Sequence, residues 1–218
     1  MPYYKLTYFN LRELAEGARL ILKYSGTDFD DIRLPMDEWE KIKPGMPFRQ
    51  VPILEVDGVI IPQSTAIYRF LGQQFGRFIS LSANSAICQV DFLVGCRSFF
   101  SILRTASWPL YNPYKLIYFF KNAYSTEKPH LPLKESAIPA RDVYFSGLTT
   151  FLKQSGSGYL VGKKLSWADI VIGNHLDGIS DFFPNLYEGY PEVKDFVSGI
   201  LEIPAIKKWI EQRPKTPF

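Results

Sequence analysis

Cysteine and histidine are nearly missing from this chain, with two of each among 218 residues. Cys88 and Cys96, read as lying on one helix, would have backbones about 12 Å apart, beyond the reach of a disulfide. There is no Cys-x-x-Cys pair for dithiol redox work, no His-Glu-x-x-His zinc site and no Gly-rich phosphate loop. Neither cysteine argues for a nucleophile. His130 stands in a proline-flanked loop, and His175 falls within a helix, where a core or interface role is expected. No metal site is expected. Long apolar runs are also missing: nothing approaches the roughly 18 residues of a membrane span, and residues 1–8 lack the basic and apolar regions of a secretory leader. The formal charge of +3 is spread without a basic cluster. That argues against a nucleic-acid groove or an anionic membrane patch, and leaves small anionic ligands open. The expected setting is the reducing cytoplasm.

Aromatic residues, by contrast, are abundant, with 13 Tyr and 17 Phe in a chain that is 46% hydrophobic and 22% charged. This supply suits a sizeable core, and the length suits two domains. Residues 3–8 alternate as a strand. Leu14, Ala18, Ile21 and Leu22 then recur at helical spacing until Ser25 and Gly26 end the helix. Residues 29–34 read as a second strand, 36–42 as a short irregular helix, and 44–47 as a loop. Asp57 and Gly58 supply the φ > 0 positions of a two-residue hairpin between strands at 53–56 and 59–61, and residues 64–75 carry a closing helix. The first unit is βαβαββα. Beyond it almost every strong pattern is helical, notably 86–103 and 140–153. The segment 107–139 is rich in proline, with only a short helix near 115–123. Ser166 to Asp169 forms a capping box, with Leu165 and Ile170 placed as a staple, and two short helices follow near 193–201 and 205–212. The expected domains are an α/β unit over 1–78, a linker over 79–84 and an all-α unit over 85–218.

The stretch from Gln50 to Ile67 carries the strongest functional signal. A proline at position 52 opens an inner strand, lacks a ladder donor, and leaves the Val51 backbone available to pair with another extended chain. Ser64 opens a helix whose free N–H groups favour a carboxylate. Together they suit a short acidic peptide. Tyr8 ends the first strand at the edge where open α/β sheets place ligands, and its hydroxyl is able to donate to an acceptor beside Val51. Such a donor holds a bound thiol as its thiolate near neutral pH.

Tyr8, Phe9, Asn10 and Arg12, followed by Trp39, Lys43, Pro47, Phe48, the Val51–Gly58 run, Gln63–Ile67 and the Ser166–Asp169 box, span nearly the whole chain. In these motifs it resembles the sigma-class glutathione S-transferases, the group that includes haematopoietic-type prostaglandin D synthase. The resemblance implies a thioredoxin-like N-terminal domain, a helical C-terminal domain and a homodimer. It also implies glutathione as co-substrate, with Tyr8 stabilising the thiolate. Val51, preceding Pro52, would pair with the cysteinyl backbone. Gln63 and Ser64 would hold the γ-glutamyl carboxylate, while Trp39, Lys43 and Gln50 hold the glycyl end. A pocket for small hydrophobic electrophiles would be lined by Phe9, Phe99, Leu103, Trp108 and Tyr111, each of which reads equally well as a packing residue.

Two departures stand out. Leu14 takes a place where relatives often carry arginine, which removes a charge from the thiolate region. The stretch Gly95 to Phe100 lacks the acid that would reach the partner's γ-glutamyl ammonium, Asp91 being the nearest upstream. The expected activity is conjugation of glutathione to apolar electrophiles. A prostaglandin-type isomerase and a hydrophobic ligand carrier are the alternatives.

Overall fold

The computed structural model describes residues 2–75, 131–181, 183 and 185–216, with backbone alone over 131–137. The linker at 79–84, the helices near 86–103 and 115–123, both cysteines and His130 therefore lie outside the described residues. So do Asp91, Phe99, Leu103, Trp108 and Tyr111.

The N-terminal domain has the order expected, β1 (Tyr4–Phe9), α1 (Glu13–Ser25), β2 (Asp30–Leu34), α2 (Trp39–Ile42), β3 (Ile53–Val56), β4 (Val59–Pro62) and α3 (Ser64–Gln74). Its four strands form a mixed sheet in the order β2-β1-β3-β4, with β1 parallel to β2 and antiparallel to β3. Lys5 stands directly opposite Glu55 in this ladder and pairs with it at 2.5 Å. Asp57 and Gly58 adopt φ of 49° and 85°, the positive pair that a tight hairpin demands. The segment between α2 and β3 is more ordered than a loop: one-turn 3-10 helices occupy Lys43–Gly45 and Pro47–Arg49. Pro52 stands one residue ahead of β3, after a cis Val51–Pro52 bond.

Helix α1 is the most enclosed element, with every residue from Ala15 to Leu22 buried. An ordinary surface helix hides one stripe, so burial all round means that it is packed on several sides. It packs against α3 and against two helices of the second domain, α5 (Trp167–Ser180) and α7 (Pro204–Gln212). Gly26 closes it in the left-handed conformation at φ 72°. The helical domain also contains α4 (Leu131–Ser155) and α6 (Pro191–Leu201). Helix α4 begins ahead of the proline-rich boundary expected at 140, carrying Pro139 inside it. Helices α3 and α5 approach so closely that a Cβ on Gly72 would come within 2.4 Å of the Trp167 ring.

The capping box of α5 forms as expected. The Asp169 carboxylate accepts the Ser166 N–H and hydroxyl at 2.6 Å each, and the Leu160 N–H at 2.7 Å. Burial nevertheless pushes this carboxyl up from 3.8 to about 6, against those hydrogen bonds. A carboxyl raised in the folded state favours folding fully below its unfolded value, and that contribution fades as pH climbs through the folded value. Asp169→Asn should therefore lower the unfolding free energy measured by urea denaturation at every pH through the lost acceptors, by about 1–3 kcal/mol, with a lower midpoint. It should also flatten the decline between pH 3.8 and about 6. Midpoints measured across that window that decline identically in both proteins would refute the assignment.

Candidate active site

Strand register brings the expected residues to one end of the sheet. Thr7 pairs with Ile53, so Tyr8 continues toward Pro52. Ile53 pairs with Pro62, so Pro52 and Val51 continue toward Gln63 and Ser64. The C-terminal ends of β1 and β4 thus meet the chain entering β3, and β2, whose Leu34 pairs with Phe9, delivers the segment to α2 at the same end. Two side-chain contacts tie these segments together. Gln63 Nε2 donates to Gln50 Oε1 at 3.0 Å, and the Trp39 ring meets Phe9 edge-on at 5.0 Å.

Their exposures differ in a way that separates anchoring from contact. Pro52 and Ser64 are buried; Val51, Trp39 and Lys43 are half-buried; Gln50 and Gln63 are exposed. Ser64 is 5% exposed and is the first residue of α3, where unpaired N–H groups gather a partial positive charge. Gln63, immediately before it, sits at φ 74°, a left-handed value that costs a non-glycine side chain about 1 kcal/mol or more. Phe9, expected to line a substrate pocket, is buried and packs between Tyr8, at 5.4 Å, and Trp39.

Tyr8 is 6% exposed. Burial pushes its phenol well above the ordinary value, with the charge of Glu13 adding to the effect, while a hydrogen bond from the Leu14 backbone opposes it. The proton therefore stays on oxygen throughout the physiological range. A hydroxyl that accepts from an N–H still carries that proton for donation, so Tyr8 is built to donate rather than to act as a base.

The turn from Asn10 to Leu14, which follows Tyr8, is fastened by side chains that composition and periodicity did not reveal. Arg33 Nη1 donates to Asn10 Oδ1 at 2.9 Å, and Arg19 Nη1 to the Leu11 carbonyl at 2.6 Å. Arg12 pairs with Asp181 at 2.8 Å, and the Tyr68 hydroxyl donates to the Leu14 carbonyl at 2.6 Å. Arg19 and Glu16, spaced three apart on a face that is otherwise apolar, were the available signal. Among the described residues, no group of three or more His, Cys, Asp or Glu side chains is placed to hold a metal. No described helix is long and apolar enough to cross a membrane.

Comparison with known proteins gives consistent matches along the whole chain. The family profile described as the glutathione S-transferase N-terminal domain matches residues 4–73, and the one for the C-terminal domain matches residues 110–213. The chain is 43% identical over 219 residues to glutathione S-transferase 1 of Ascaris suum, covering 100% of both. It is 36% identical over 216 residues to hematopoietic prostaglandin D synthase of Gallus gallus, covering 99% of each. Among solved structures, a monomeric glutathione S-transferase, Na-GST-3 of Necator americanus, superposes with a TM-score of 0.84 at 36% identity, covering 99% of this chain and 100% of that one. A Nu-class protein of Haemonchus contortus gives 0.80 at 36% identity, covering 100% of both.

The strained Gln63 backbone allows a role in stability and a role in binding to be tested apart. Gln63→Gly should hold the unfolding free energy measured by urea denaturation or raise it by up to about 1 kcal/mol, because glycine accepts a positive φ freely. The same change should weaken glutathione binding in a calorimetric titration. A loss of stability with affinity retained would show that Gln63 serves the fold alone.

Proposed function

We infer that this chain, which belongs to the glutathione S-transferase family and conjugates glutathione to electrophiles, activates the glutathione sulfur through the Tyr8 hydroxyl. The observation that carries this reading is a buried phenol at the end of the sheet where Val51, Gln63 and Ser64 gather, held protonated and accepting from Leu14. Placed against the sulfur, it stabilises the thiolate by donating one hydrogen bond, and proximity of the second substrate supplies the remaining acceleration. The Val51 backbone takes the cysteinyl unit as an added strand. Gln63, Ser64 and the α3 N-terminus hold the γ-glutamyl carboxylate, with Trp39, Lys43 and Gln50 at the glycyl end. Small apolar electrophiles enter from the side of Phe9 and the helical domain. The domain boundary we propose lies at 79–84, and the setting is cytoplasmic.

Within the family we propose sigma-type chemistry, supported by the Tyr8-Phe9-Asn10 run and by the identity to the Gallus gallus synthase. That same relative carries the second reading, a glutathione-dependent isomerisation of a prostaglandin-type endoperoxide. Leu14, which withholds a cation from the sulfur, favours conjugation over it.

A homodimer is supported by Phe48. Its side chain is 77% exposed at the tip of the segment between α2 and β3, and both Phe48 and Arg49 take positive φ, 52° and 54°. An apolar ring held into solvent on a costly backbone suits insertion into a second copy.

Two measurements test these readings. Tyr8→Phe should leave glutathione affinity within about twofold while lowering turnover with an aryl halide by about 10- to 100-fold. Unchanged turnover would remove Tyr8 from this role. Phe48→Ser should convert a dimer to monomer in sedimentation velocity at micromolar concentration, whereas a wild-type monomer would discard the dimer.

A further inference from the structure

Glu16 and Arg19 are charged, yet neither belongs to the ligand site and neither reaches water: their side chains are 1% and 0% exposed. Burial of two charges is costly unless each is fully engaged, so the arrangement of their partners indicates what they serve. Arg19 turns Nη1 to the Leu11 carbonyl at 2.6 Å and to Glu16 at 3.0 Å, and Nε to Asp31 at 2.9 Å. Asp31 in turn meets Arg33, whose other nitrogen holds Asn10. Glu16 Oε1 accepts from Trp209 Nε1 and from Arg213 Nη1, both at 2.9 Å. One connected set of charged groups thus grips Asn10 and Leu11 from two sides and runs to the C-terminal segment, 197 residues away from Glu16 in sequence.

Asn10 and Leu11 begin the turn that ends at Leu14, whose backbone meets the Tyr8 hydroxyl. Glu13 in the same turn holds φ at 33°, a value that a glutamate keeps only where surrounding contacts over-determine the chain. We propose that Glu16 and Arg19 are positioning residues, through which Trp209 and Arg213 of the C-terminal segment fix the turn after β1 and thereby the aim of the Tyr8 hydroxyl at the glutathione sulfur. This rests on the reading of Tyr8 as the thiolate donor. The C-terminal segment then does more than complete the helical domain: it tunes how completely the bound thiol ionises.

The experiment uses the full-length protein and titrates the bound glutathione thiolate by ultraviolet absorbance, alongside the pH profile of kcat/KM with an aryl halide. Arg213→Gln and Trp209→Phe each free one donor from Glu16 and leave the Arg19 pair intact. Each should raise the apparent pKa of the bound thiol by about 0.5, which is about threefold less thiolate at pH 6. The KM for glutathione should stay within about twofold, and Arg213→Lys should recover most of the shift. On a Tyr8→Phe background Arg213→Gln should add nothing further, because both changes act through the same hydroxyl. Arg213→Gln and Trp209→Phe with wild-type titrations, beside a shifted Tyr8→Phe, would overturn the positioning role and leave Tyr8 standing. So would a lowered denaturation midpoint without a shifted titration, which marks a purely structural tie. An unshifted Tyr8→Phe would overturn the reading of Tyr8 and the coupling with it.

Discussion

From Ala15 to Leu22 helix α1 has no face left for water, and this buried span nevertheless carries a glutamate and an arginine. Much of the rest of the molecule follows from satisfying that pair. Apolar side chains can pack in many nearly equivalent ways, but a buried guanidinium tolerates few arrangements, because each N–H that loses its acceptor retains its full desolvation cost. Arg19 therefore dictates where the Leu11 carbonyl and Asp31 must stand. Glu16 dictates the same for Trp209 and Arg213. The pair converts a contact between two domains, which hydrophobic packing alone would leave free to slide, into one with a single register. One nitrogen of Arg19, Nη2, is buried without a partner among the described residues, so even this set stops short of full satisfaction.

The ligand end of the sheet illustrates a different economy. Its residues come from four separate segments, yet nothing unusual in tertiary packing is needed to gather them, since strand register does so. Ending β1 at Phe9 and β4 at Pro62, and starting β3 at Ile53, is enough to place Tyr8, Val51 and Ser64 within one neighbourhood. What packing adds is selective. Ser64 is buried and fixed, while Gln50 and Gln63 stay exposed and hold each other through one hydrogen bond. This end of the sheet thus presents a fixed floor with two exposed amides above it, the surface on which the proposed peptide site rests.

Legibility in the sequence tracks this division between local and distant causes. The hairpin at Asp57 and Gly58, the stop at Gly26 and the box at Ser166 are decided by neighbouring residues, so a short window contains the whole cause, and the structure agrees with each. The 3-10 turns over Lys43–Gly45 and Pro47–Arg49 overlap the loop that the sequence predicts at 44–47, where two prolines and a glycine signal irregularity without specifying its form. The left-handed backbone of Phe48 had no local warning, since phenylalanine is a poor candidate for positive φ. Least legible was the Glu16 network. A charged pair three apart on an apolar face was visible, but its partners at Trp209 and Arg213 lie 193 and 197 residues away, where no periodicity reaches. Residues 76–130 lie outside the described residues, and with them Phe99, Leu103, Trp108 and Tyr111, four of the five residues expected to line an apolar pocket.

Leu14 gives the anchoring of the β1–α1 turn its significance. A cation near the sulfur would stabilise a thiolate through a Coulombic attraction that falls off only as the inverse of distance, so a displacement of an ångström changes it little. A hydrogen bond from a phenol behaves otherwise, weakening steeply once distance or angle departs from its narrow optimum. Under the role proposed for Tyr8, a chain with leucine at position 14 rests thiolate stabilisation more heavily on the second kind of interaction. The turn behind Tyr8 must then be held tightly, and it is: Asn10 by Arg33, Leu11 by Arg19, Arg12 by Asp181 and Leu14 by Tyr68. In the proposed mechanism, rigidity drawn from α1, α3, α5 and the C-terminal segment takes the place of a charge, with the buried Glu16–Arg19 pair as its anchor.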